Sequence, residues 1–238
     1  GDACVGVDAA CAALPSVGSV CQAGLENSLT VYYAAEADDL GDAWSCYRAT
    51  VTSETAAQCG TVAGYGLTEY WVVTVGVSGA GLAYNYTTSD VYAAGLSYAA
   101  PATQYVGTLA MDVIDDAATA GGTEVALIGT GFGPEGPAEV TATYGPYAAT
   151  SCVWDSQSVV LCYTDEGTGT DHAWTVSRAG LTSATTSGTT SSWGGISYAA
   201  PEIAEVTGTL TSSATAGGAT IYLHGSNFGP LGAEAPTM

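Results

Sequence analysis

The sequence predicts an all-β protein made of tandem β-sandwich modules, each about 100 residues long. Three observations carry that expectation. Glycine is abundant, with 32 in 238 residues, Val and Thr are frequent, and no stretch shows the Ala/Leu/Glu/Lys periodicity of a long helix. Short runs of alternating apolar and polar residues recur between Gly- and Asp-rich turns. The chain also repeats itself. Thr119-Ala120-Gly121-Gly122 returns as Thr215-Ala216-Gly217-Gly218, Phe132-Gly133-Pro134 returns as Phe228-Gly229-Pro230, and Ser97-Tyr98-Ala99-Ala100-Pro101 returns as Ser197-Tyr198-Ala199-Ala200-Pro201. One complete module, residues 101–200, is therefore expected between two partial copies.

Residues 1–24 are small, Cys-rich and irregular, and read as a stapled loop rather than a domain. Their cysteines, Cys4, Cys11 and Cys21, cannot all pair among themselves, so one is free, bonded to another chain or paired elsewhere. From Ser28 the pattern becomes strand-like, with Leu29, Val31 and Tyr33 on one face and Thr30 and Tyr32 on the other. An acidic loop (Glu36, Asp38, Asp39, Asp42) leads to Trp44-Ser45-Cys46-Tyr47 and a hairpin returning to Cys59. An apolar strand over residues 71–77, a Gly-rich turn, Tyr84-Asn85-Tyr86-Thr87 and the closing Leu96-Ser97-Tyr98 complete residues 25–100. These elements match the later half of the central module and lack its earlier half.

In the central module, residues 104–109 form a first short strand, and Asp115-Asp116 and Ala120-Gly121-Gly122 form a turn. Val125 and Leu127 alternate inward along a second strand that stops at residues 129–133, and Val140, Ala142 and Tyr144 make the next inward row. Cys152-Val153-Trp154, a turn at residues 155–157 and a strand at 159–162 form a hairpin whose ends a disulfide can join, because facing residues on antiparallel strands come within bonding reach. Trp154 is expected in the core against that disulfide, and Cys46 pairs with Cys59 in the same way. Strands at residues 172–178 and 193–198 bring the count to about seven, the size and rhythm of an immunoglobulin-like sandwich. Residues 201–238 hold only first strands, around Ile203 to Val206 and Ile221 to Leu223.

Here the residues resemble a known family. Ala120-Gly121-Gly122-Thr123, Gly129-Thr130-Gly131-Phe132-Gly133, the pair Cys152 and Cys162, and Ile196-Ser197-Tyr198 with Pro201 look like the IPT/TIG immunoglobulin-like domain of plexins, fibrocystin-like surface proteins and tandem arrays of protist surface proteins. The resemblance implies an extracellular adhesive or structural module without a catalytic site. The chain departs from intracellular members, which bind DNA through basic loops, because its only basic residues besides histidine are Arg48 and Arg178.

A formal net charge of −21 excludes nucleic acid and anionic membrane surfaces as partners, since both would be repelled. Seven cysteines without metal-like Cys-x-x-Cys spacing point to disulfides and an oxidising, extracellular or cell-surface setting. No leader or membrane-length apolar run is present and residue 1 is Gly, so the chain is read as a mature protein or an excerpt.

Catalysis is not expected. His172 and His224 lie in different modules, no serine occupies a Gly-x-Ser-x-Gly elbow, and the Gly129–Pro134 stretch lacks a following helix and lysine. Asp38, Asp39 and Asp42, and separately Asp165, Glu166 and Asp171, could gather calcium, but without EF-hand spacing they read as solvated loops, and no cofactor is expected. Asn85-Tyr86-Thr87 is the N-linked glycan acceptor. The Thr/Ser-rich residues 182–192 and 207–215 are either O-glycan sites or ordinary Thr-rich edge strands.

The two partial modules are complementary halves of one sandwich. An open sandwich exposes an apolar cleft and unpaired edges, so something must fill it. The expected partner is another copy of this chain: Ile203, Val206, Ile221, Leu223 and Phe228 of one protomer complete residues 25–100 of the next, giving a glycosylated head-to-tail filament. The alternatives are a window of one longer covalent array and an adhesion or receptor ectodomain that binds protein or carbohydrate.

Overall fold

A computed structural model describes residues 26–34, 44–66, 69–78, 85–94, 97–187, 193–208 and 214–231. The described residues form strands, turns and loops without a helix, so none contains a helix long and apolar enough to cross a membrane. The chain divides into two compact units, Gly1–Val62 with Thr68–Leu96, and Ala63–Leu67 with Ser97–Met238.

The first unit contains β1 (Glu26–Ala34), β2 (Trp44–Ser45), β3 (Tyr47–Ser53), β4 (Ala56–Gly60), β5 (Glu69–Ser78), β6 (Asn85–Thr88) and β7 (Tyr92–Ala94). One antiparallel sheet runs β2-β1-β5-β6, with β7 also on β5, while β3 and β4 form a separate two-stranded hairpin. The period-2 pattern of β1 is realised: Val31 and Tyr33 are buried and Tyr32 between them is exposed. Tyr33 stacks on Trp71, its cross-strand partner, with ring centroids 4.9 Å apart. Its hydroxyl accepts a 2.8 Å hydrogen bond from the Val62 amide.

The second unit contains β8 (Ala102–Gly107), β9 (Glu124–Thr130), β10 (Val140–Tyr144), β11 (Tyr147–Ala148), β12 (Ser151–Ser156), β13 (Val159–Tyr163), β14 (His172–Arg178), β15 (Leu181–Thr182), β16 (Gly195–Ile196), β17 (Glu202–Gly208) and β18 (Ile221–Ser226). Strands β8 to β16 make a two-layer sandwich. One sheet runs β11-β10-β14-β15 with β16 on β14, and the other runs β12-β13-β9-β8. Between them lies one core that includes Val106, Val125, Leu127, Phe132, Tyr144, Val160, Cys162, Trp174, Val176 and Ile196. Close packing of this kind supplies most of a small sandwich's stability, because each buried large side chain contributes about 1.5–3 kcal/mol. Tyr144 stacks on Trp174 at 4.4 Å and accepts a 2.7 Å hydrogen bond from the Asp165 amide, repeating the arrangement of Tyr33, Trp71 and Val62.

Three local expectations are corrected. The first strand spans Ala102–Gly107 rather than residues 104–109, because the chain folds at Thr108 into a tight turn, with Thr108 N–H bonded to the Asp112 carbonyl and Met111 at φ 66°. The run 193–198 pairs as a strand only at Gly195–Ile196. Beyond it, Ser197 and Tyr198 donate instead to the carbonyls of Ile114 and Gly169. Trp154 is half-buried on β12 with its indole N–H on the Gly133 carbonyl, and among the described residues the fully buried tryptophan is Trp174. Strand β12 lies at the edge of its sheet, so a side chain there reaches only the rim of the core.

Candidate assembly interface

The hairpin β17–β18 has the pairing of β8–β9. In both, a bulge follows the second pair: Ala102↔Thr130 and Thr103↔Gly129 precede Tyr105↔Ile128, and Glu202↔Ser226 and Ile203↔Gly225 precede Glu205↔His224. The turns leading into the second strands also agree. Gly121 and Gly122 have φ of 79° and 77°, Gly217 and Gly218 have 79° and 84°, and in each the first glycine N–H bonds to the residue three before it. Past the hairpin, Gly131 at φ 78° is replaced by Asn227 at φ 59°. Asparagine is the side chain best suited to that left-handed position after glycine.

What differs is burial. Val106, Val125, Leu127 and Phe132 are 0% exposed, whereas their counterparts Val206, Ile221, Leu223 and Phe228 are 38–51% exposed. Strand β9 is covered on its outer edge by β13, but β18 has only β17 beside it among the described residues. Ile203 on β17 is 55% exposed as well. An apolar row of this kind on an unpaired edge is a template for another strand.

The β3–β4 hairpin presents the converse. Counted from its two-residue turn, Ala57 and Cys59 of β4 occupy the positions of Val160 and Cys162 of β13. In the sandwich β13 pairs with β9, whereas among the described residues β4 pairs only with β3. Ala57 is exposed where Val160 is fully buried. Among the described residues, hairpin β3–β4 lacks the neighbour that β17–β18 resembles, and β17–β18 lacks the neighbour that β3–β4 resembles.

Disulfides hold both hairpins of the β12–β13 type. Cys46 is bonded to Cys59 across a separation of 13 residues, and Cys152 to Cys162 across 10. Cys4, Cys11 and Cys21 lie outside the described residues, as do Asp38, Asp39 and Asp42. Asn85 pairs with Val77 at the start of β6, and its side chain also lies outside the described set. Among the described residues no three His, Cys, Asp or Glu side chains gather as a metal site.

The acidic loop 165–171 has a structural task. The Asp165 carbonyl accepts the Tyr198 hydroxyl at 2.7 Å, and the Tyr144 and Tyr198 hydroxyls lie 2.8 Å apart. Burial raises the pKa of both phenols, with the Tyr144 hydrogen bond adding to the rise at Tyr198. His172 is held by its Nε2 at 2.9 Å from the Thr168 carbonyl and packs edge-on against Tyr144, Tyr147 and Tyr198. His224 contacts Thr207 at 3.1 Å on the separate hairpin β17–β18. The two histidines therefore serve different structural elements.

Arg178 was not anticipated as a core residue. It is 3% exposed, its guanidinium lies 3.8 Å from the Tyr65 ring centroid, and its Nη1 donates to the Phe132 carbonyl. Its Nε and Nη2 find no hydrogen-bond partner among the described residues, and desolvation lowers its pKa. No sequence signal distinguishes it from an exposed arginine, because its partner Tyr65 comes from a distant part of the chain.

Residues 114–192 match the family model described as the IPT/TIG domain. No match to a curated protein was found. The matched residues begin ahead of β9 and run past β15, through both sheets and the disulfide-linked hairpin. The sandwich they occupy is similar to the IPT/TIG domain, an immunoglobulin-like module, and lies within an all-β chain.

Proposed function

We propose that this protein is the structural subunit of an extracellular filament or surface appendage, in which the β17–β18 hairpin of one copy completes the first unit of the next. The observation that carries the reading is the contrast in burial between equivalent residues. Leu127 is fully buried in the complete sandwich and Leu223 is half exposed on a hairpin of the same pairing. A contact joining the tail of one copy to the front of the next is heterologous, so it propagates into a thread instead of closing as a dimer. Cys46–Cys59 and Cys152–Cys162 suit an oxidising compartment outside the cytosol. A net charge of −21 keeps threads apart laterally. The module is non-catalytic, and Asn85-Tyr86-Thr87 carries an N-linked glycan.

Electron microscopy of the purified protein tests the reading. Long regular threads that dissociate in denaturant to single chains support it, and monodisperse short particles at all concentrations refute it. Denatured, reduced and deglycosylated material heavier than one chain would identify a covalent array instead. A glycosidase that releases N-linked glycans should reduce the mass of the native protein and leave an Asn85→Gln variant unchanged.

A further inference from the structure

We infer that β18 adds antiparallel to β4 of a second copy in one register, with Ile221 opposite Cys59, Tyr222 opposite Gln58, and Leu223 opposite Ala57. This inference rests on the filament reading and specifies its joint. In the complete sandwich the corresponding pairs are Cys162↔Val125, Leu161↔Ala126 and Val160↔Leu127. Two independent rulers transfer that register. The bulged pairing of β17–β18 places Ile221, Tyr222 and Leu223 at the positions of Val125, Ala126 and Leu127. The two-residue turns of the disulfide-linked hairpins place Ala57, Gln58 and Cys59 at those of Val160, Leu161 and Cys162. The resulting sheet has the order β3-β4-β18-β17, matching β12-β13-β9-β8.

Residues outside the strands agree with this register. In the complete sandwich, buried Thr164 ties down the turn before β9: its carbonyl accepts from Gly122 N–H at 2.8 Å and its Oγ1 accepts from Thr123 N–H at 3.0 Å. Its own amide donates to the Thr123 carbonyl at 3.0 Å. Two residues beyond Cys59, as Thr164 stands two beyond Cys162, the chain again has threonine, and Thr61 is exposed. The register places Thr61 against Gly218 and Ala219, where it can make the same three hydrogen bonds. A steric feature agrees. A Cβ at Gly121 would meet the Asp165 backbone at 2.7 Å, whereas a Cβ at Gly217 meets nothing within 4 Å. The residue that would close on Gly217 is Val62, whose N–H already donates to the Tyr33 hydroxyl as the Asp165 N–H donates to that of Tyr144. The room beside Gly217 has the place of a neighbour that the second copy supplies.

Single-cysteine variants test the register. Gln58→Cys and Tyr222→Cys proteins, mixed under mild oxidation, should give a reducible cross-linked species, with mass spectrometry identifying the peptide pair that joins positions 58 and 222. Gln58→Cys mixed with His224→Cys, two residues out of register on the same face, should not. Filaments that cross-link through 224 and not 222 would overturn the register while leaving the filament intact; absence of filaments in the unmodified protein would overturn the filament itself. A cross-link formed only when both substitutions lie in one chain, in a species of single-chain mass, would mean intramolecular closure and overturn both. Thr61→Val, which removes one acceptor and keeps the side chain's shape, should raise the polymerisation concentration up to about tenfold with the protomer's melting temperature unchanged. Unchanged polymerisation would remove Thr61 from the joint.

Discussion

Leucine occupies the same place in two hairpins of the chain, and shortening each should have opposite consequences. Leu127 on β9 is 0% exposed and Leu223 on β18 is 49% exposed. Removing buried methyl groups loses their transfer free energy and leaves a cavity, so Leu127→Ala should destabilise the sandwich by about 3 kcal/mol. That lowers the melting temperature by about 12–24 °C at the scale of a domain of about 100 residues. Leu223→Ala removes groups that water already reaches, and the isolated protomer should lose less than about 1 kcal/mol. In the filament Leu223 is buried as Leu127 is, so each joint should weaken by about 3 kcal/mol, a change on the order of 100-fold in the concentration at which threads form. Calorimetry on dilute protomer and sedimentation across a concentration series read the two effects separately. If Leu223→Ala melts the protomer as Leu127→Ala does, the hairpin is already covered within one chain. If it leaves polymerisation unchanged, β18 is not the joint.

Three further outcomes are expected. Replacing Cys152 and Cys162 together by alanine frees a loop of 10 residues and should cost about 2–3 kcal/mol by chain entropy, plus a cavity term because Cys162 is fully buried; urea unfolding checks this. Tyr144 and Tyr198 have raised folded-state pKa values, so they keep their protons in the fold after the unfolded chain has lost them. Their contribution is complete below about pH 10 and declines as pH rises above it, by up to about 1.4 kcal/mol per pH unit for each phenol, and Tyr198→Phe should flatten that alkaline decline. Arg178→Met should change stability by less than about 1 kcal/mol, since the guanidinium is desolvated and among the described residues its Nε and Nη2 have no hydrogen-bond partner, while Tyr65→Ala, which uncovers it, should cost about 2 kcal/mol or more. A large loss in Arg178→Met would show that the cation–π contact outweighs the desolvation.

Much of the sandwich is legible because strand periodicity and turn chemistry are local. The inward row Val140, Ala142 and Tyr144, the glycine turn before β9 and the paired hairpin cysteines can each be read within a few residues. What could not be read depends on distant segments. Trp174 is no more apolar in sequence than Trp154, yet it lies on a central strand and Trp154 on an edge. The hydroxyl pair of Tyr144 and Tyr198 joins residues 54 apart. Arg178 is internal only because Tyr65, Phe132 and Trp154 converge on it.

By itself the amino-acid sequence determined that the chain is all-β and disulfide-linked, and it shows motifs of the central sandwich recurring in the front and the tail. Tertiary structure alone decided which copy of each apolar row is covered and which lies open. Burial belongs to the neighbours a strand acquires, and Leu127 and Leu223 carry the same side chain in the same local pattern with different company.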